Sequence, residues 1–162
     1  MAYDVRSISN FVLDVAEIEG RPVSNLSINK IVYFLHCNYL VEFGSPLVSA
    51  KIEAWDYGPV FRELYREFKK YGEKAISGRA QRISVETGNP EICTYELSEV
   101  ERAVLEPMVR RYVRFSAGTL VSMSHVPGGP WDQVWNHGTV TQPSMRISDD
   151  LILAWHKAAA RH

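Results

Sequence analysis

Lys51-Ile52-Glu53-Ala54-Trp55-Asp56-Tyr57-Gly58-Pro59-Val60 is the stretch in which the chain changes character. Residues 51–57 read as extended. Gly58-Pro59 then turns the chain into a helix, because a fixed φ and a missing amide donor suit proline to the first helical position. Val60, Phe61, Leu64, Phe68 and Tyr71 line that helix, and Arg62, Glu63, Arg66, Glu67, Lys69 and Lys70 cover its other face until Gly72. Gly58 and Pro59 are therefore structural turn residues. Trp55 and Tyr57 flank the turn, where an amphipathic ring serves either the core or a partner surface.

Upstream, Ile8, Phe11, Val12, Val15 and Ile18 recur at helical spacing behind the cap Ser7, and Gly20-Arg21-Pro22 ends the pattern. Ser24 or Ser27 caps a second helix. Its stripe of Ile28, Ile31, Val32, Leu35, Tyr39, Leu40 and Phe43, which stops at Gly44, is wide enough to mark the central core helix. Lys30 sits opposite Val32 or beside the stripe, so its stem is expected to pack while its ammonium reaches water.

Downstream, the period changes. Ile83 and Val85, the turn Gly88-Asn89-Pro90, then Cys93, Tyr95 and Leu97 alternate as in a short antiparallel hairpin, which must lean on the helices to persist. Ser98-Glu99-Val100-Glu101 is a capping box opening a helix through Phe115, with Pro107 inside it expected to kink the axis. Ser116 caps a shorter helix through His125, broken by Pro127-Gly128-Gly129-Pro130 before the Trp131 to Trp135 segment. Residues 136–147 read as a loop. Ser148 with Asp149 and Asp150 starts a last helix over about 148–160. The expected fold is mainly α (α+β), a compact bundle of six or seven helices with one small antiparallel hairpin, forming a single domain over residues 1–162.

The 162 residues carry 18 basic and 19 acidic side chains, with a pI near 6.5. A chain of this size buries roughly 70% of its unfolded surface, so a true core is expected. Near-neutral charge opposes a whole-domain grip on nucleic acid, leaving only local patches such as Arg110, Arg111 and Arg114 or Lys69, Lys70, Lys74, Arg79 and Arg82. The plainer reading of both is a solvated face balanced by Glu63, Glu67, Glu73 and Glu106. Acidic residues interrupt the N-terminal apolar pattern, and no run approaches the ~20 residues that span a bilayer. The expected setting is cytoplasmic, which also suits two lone cysteines, Cys37 and Cys93.

Cofactor and catalytic motifs are not met. The cysteines match no zinc spacing, Gly128-Gly129 lacks the Lys-Ser/Thr of a phosphate loop, and no nucleophile elbow occurs. Adjacent positions point His36 and Cys37 in different directions on their helix, which favours packing. The remaining constellation is His125, Asp132 and His137 around the proline-rich loop, the basis of a small-enzyme alternative; a DNA-binding autoregulator using Arg110, Arg111 and Arg114 is another.

Lys30-Ile31-Val32-Tyr33-Phe34, the turn Ala54 to Val60 leading into Glu63-Leu64-Tyr65, Leu97-Ser98 with Glu101, and Leu120, Ser124-His125 and Pro130-Trp131 occur in an order that resembles the Panacea domain of phage-associated GepA-like proteins and SocA-like antitoxins. The resemblance spans residues 8–136. Ser124 stands where threonine is usual, and Val126 to Gly129 replace a more acidic linker. The resemblance implies a non-enzymatic antitoxin that binds a co-encoded protein toxin, and in SocA-like members delivers it to a Clp-type protease as an adaptor. A partner surface needs a few desolvated aromatic or arginine anchors. Trp55, Tyr57, Arg62, His125 and Trp131 are the candidates, with no cofactor and no metal.

Overall fold

A computed structural model describes residues 2–135 and 145–160. Helix α1 (Val5–Ile18) is capped by Asp4, whose side chain accepts from the Arg6 amide. The expected cap, Ser7, instead lies inside the first turn and is buried. Helix α2 (Asn25–Phe43) starts at Ser24, which accepts from the Ser27 amide, and stops at Gly44 in the left-handed region at φ 71°. It is buried on nearly every side, as befits a helix packed against six other elements.

Strands β1 (Ile52–Trp55) and β2 (Gly58–Phe61) form a hairpin closed by Asp56 and Tyr57. Helix α3 (Arg62–Phe68) follows directly and tightens into a 3-10 turn over Lys69–Tyr71. The expectation that Pro59 opens a helix is thus corrected: residues 58–61 are a strand, and the helix begins three residues later. Pairing parity explains why proline is tolerated. Ala54 directs its amide away from β2, toward Met145, so its partner Pro59 faces outward and owes β1 no donor. All four residues of β2 are buried, so no alternation betrays the strand.

Strands β3 (Gln81–Ile83) and β4 (Pro90–Ile92) make the second hairpin. Asn10 of α1 holds it, donating to the carbonyls of Ala80 and Cys93 at 3.0 and 2.8 Å and accepting from the Ala80 amide at 2.8 Å. Helix α4 (Glu99–Tyr112) carries the full Ser98/Glu101 capping box and contains Pro107. Ser116 caps α5 (Ala117–Ser124), and Pro130 opens the short α6 (Pro130–Val134).

Strand β5 (Arg146–Ile147) is a further correction, since the sequence reads as a loop there. Two residues show no periodicity; β5 exists because its partner, β1, lies far away in the chain. The sheet order is β2-β1-β5, all antiparallel. Helix α7 (Asp149–Ala160) closes the molecule, with the Ser148 hydroxyl accepting from the Leu151 amide. Among the described residues there are seven α-helices and two small antiparallel sheets around one core. No helix among them is long and apolar enough to cross a membrane.

Candidate functional site

The β1–β2 turn is held from below by α2. Lys30 has no exposed surface, and its Nζ donates to the carbonyl of Pro59 at 2.9 Å. One residue earlier, Asn29 Oδ1 accepts from the Phe61 amide at 2.9 Å. Two α2 side chains thus satisfy the outward edge of β2. The expectation that the Lys30 ammonium reaches water is thus corrected: the whole side chain is buried. Gly58 makes this packing possible: at φ 110°, an added Cβ would lie 2.7 Å from Lys30 Cε and 2.5 Å from Ser124 Oγ. Burial lowers the Lys30 pKa from 10.5 to about 7, against the opposing pull of Asp56.

The turn is held by α5 and α6 as well. Trp131 Nε1 donates to the carbonyl of Trp55 at 2.7 Å, and the His125 ring stacks on Trp131 with centroids 3.7 Å apart and planes 8° from parallel. Among the described residues His125 Nε2 is buried without a hydrogen-bond partner. Burial lowers the His125 pKa, the Lys30 charge adds to that effect, and Asp132 and Asp56 act against it. His125 and Trp131 therefore brace the turn from beneath.

Above this support lies an exposed face. Tyr57 at the tip is 62% exposed and Trp55 is half-buried. Trp55 meets Tyr65 edge-on at 5.0 Å, and the Arg62 guanidinium lies 5.9 Å from the Trp55 ring centroid. Arg62 also grips Glu53 with two bonds of 2.9 and 2.8 Å, and Trp55 Nε1 donates to the same carboxylate. The Arg62 bonds hold Glu53 below the usual carboxylate range. These contacts hold the side chains of Trp55 and Arg62 in place. Beside them opens a cleft of about 810 Å³, between the start of α2, the turn, α3 and the start of α5.

The structure thus brings Trp55, Tyr57, Arg62, His125 and Trp131 into one neighbourhood, in two tiers. Sequence reasoning missed Lys30. The signal available was a lysine inside a wide apolar stripe, where burial competes with snorkelling.

The family model described as "Antitoxin SocA-like, Panacea domain" matches residues 28–132. Antitoxin SocA of Caulobacter vibrioides (strain NA1000 / CB15N) is 37% identical over 150 residues, covering 92% of this chain and 80% of the relative. The chain belongs to the SocA-like Panacea family. No solved structure gives a significant match. The matched Panacea segment runs from α2 to α6, so it contains Lys30, the whole turn, His125 and Trp131.

Other features of this Panacea protein are spent on structure. The Val48 amide donates to His36 Nδ1 at 3.3 Å, which leaves Nε2–H to donate to Asp149 at 2.8 Å and tie α7 to α2. Burial pushes the Cys37 thiol up to about 12, so it is not a thiolate near neutrality. Asp132 accepts from the Gly128 amide at 2.7 Å, and His137 lies outside the described residues. Among the described residues no three His, Cys, Asp or Glu side chains are grouped to hold a metal ion. Arg110 pairs with Glu106 and Glu19, Arg79 with Asp14 and Glu17, and Arg82 with Glu91, so acidic neighbours offset part of each basic cluster.

Proposed function

We propose that this chain is an antitoxin that binds and neutralises a co-encoded protein toxin through the face formed by Trp55, Tyr57 and Arg62, with no bond made or broken. The observation that carries this reading is the pairing of an exposed ring, Tyr57, with a turn anchored by two buried-side bonds, from Lys30 to Pro59 and from Trp131 to Trp55. Rigid aromatic anchors beside an arginine are the composition from which binding hot spots are built. A partner covering roughly 800 Å² would reach the adjoining cleft as well. Membership in a family named for an antitoxin, and a relative named Antitoxin SocA, support the same conclusion.

The reading places the protein in the cytoplasm and includes delivery of the bound toxin to a Clp-type protease. Co-expression with the product of the adjacent reading frame tests it. The neighbour alone should arrest growth, and the pair should grow and co-purify; a harmless neighbour that does not co-purify overturns the reading. Delivery is checked by the toxin's half-life, which should lengthen when the Clp-type protease is removed.

A further inference from the structure

We infer that the cleft beside the turn receives a basic side chain, arginine or lysine, presented by the bound partner. The inference rests on the binding face described above and assigns the chemistry of its central contact. Tyr57, Trp55 and Tyr65 line the cleft together with the carboxylates of Asp56 and Glu73. Both carboxylates are exposed, and neither has an ion-pair partner among the described residues.

The chain shows within itself what such a combination binds. Arg62 lies over Trp55, which also lines the cleft, while its guanidinium grips Glu53, a cation held by a ring and a carboxylate at once. The cleft repeats the ring and the carboxylate, and among the described residues no cation is paired with Asp56 or Glu73.

Two features oppose a cation. Lys69 lines the same cleft, and α2 and α5 both begin there. A helix N-terminus favours an anion, but the effect is screened near the surface and confined to the first turn. Here part of that donor capacity is already used, because Ser24 and Ser116 accept from the amides of Ser27 and Thr119. The lining carboxylates, Asp56 and Glu73, outnumber the single lining ammonium of Lys69, and the ring faces of Trp55, Tyr57 and Tyr65 attract a cation and not an anion. Two carboxylates and open ring surface therefore outweigh one lysine and two capped helix starts.

Amide chemical shifts of the isotope-labelled full chain, titrated with N-acetyl-arginine amide, its neutral isostere N-acetyl-citrulline amide and N-acetyl-glutamate amide, test this directly. The arginine compound should give saturable shifts confined to the turn, α3 and the residues around Glu73. The citrulline compound should bind at least about fivefold more weakly, and Asp56→Asn with Glu73→Gln should abolish the difference. Equal binding of the citrulline compound, tighter binding of the glutamate compound, or shifts scattered over the surface would overturn the inference. Toxin neutralisation separates the two levels. If the double variant neutralises as well as the parent while Tyr57→Ala does not, the cation site falls and the antitoxin reading stands. If the parent binds no neighbouring gene product, that reading falls, and the arginine titration still decides the chemistry of the cleft.

Discussion

Lys30 Nζ and the Pro59 carbonyl oxygen are 2.9 Å apart, and the lysine that makes this bond has no exposed surface. A central-helix lysine thereby fixes the edge of a strand whose turn carries the most exposed ring of the candidate site.

This bond has a pH signature. The folded-state Lys30 pKa is lowered to about 7 from 10.5, so between those values the unfolded chain holds a proton that the folded chain has released. Stability attributable to Lys30 therefore rises with pH across that window, and the cost of the buried charge is fully present below it. A tenfold difference in proton affinity between the folded and unfolded chain is worth about 1.4 kcal/mol, so the rise should reach a few kcal/mol. Urea midpoints of parent and Lys30→Met at pH 6 and pH 9 check this. The parent should gain on the variant as pH rises, and parallel behaviour of the two proteins would contradict it.

Gly58 should be far less replaceable than Gly44. Both have positive φ, but a Cβ at Gly58 would collide with Lys30 and Ser124, whereas Gly44 has nothing within 4 Å of that position. Gly44→Ala is expected to cost about 1 kcal/mol, and Gly58→Ala at least about 2–3 kcal/mol, because steric overlap adds to the backbone strain. Thermal melts of the two variants measure the contrast.

Asn10 should be the weak point of the β3–β4 hairpin. Its buried amide makes three bonds to the backbone of Ala80 and Cys93. Asn10→Ala leaves the Ala80 amide and the Cys93 carbonyl unsatisfied, at about 1–3 kcal/mol for a buried group, while the Ala80 carbonyl keeps the Cys93 amide. Amide hydrogen exchange should accelerate first in residues 80–93, ahead of α2.

The elements with local signals are legible in the sequence. Ser24, Ser98 and Ser116 each mark a helix start confirmed by a side-chain cap, and Gly44 marks a stop. The α1 start is ambiguous because Asp4 and Ser7 are both good caps, and Asp4 takes the role. Sequence reasoning fails where tertiary context decides. Strand β2 is buried at every position and opens with Gly-Pro, a pattern that reads equally as a turn into a helix. Strand β5 depends on pairing with β1. At the site, Trp55, Tyr57, Arg62, His125 and Trp131 can be named from their residue types. The bonds that assemble them cannot, since Trp131 and Trp55 are 76 positions apart and nothing local couples them.

Tyr57 offers the most direct measurement of whether the turn is a binding face. Its ring is 62% exposed and no change in fold stability is expected when it is removed. Calorimetric titration of the adjacent gene's toxin into the parent and into Tyr57→Ala, with matched thermal melts, compares the two. The variant should melt with the parent yet bind at least about tenfold more weakly, the loss of one hot-spot anchor. Equal affinity at equal stability would show that the partner is held elsewhere.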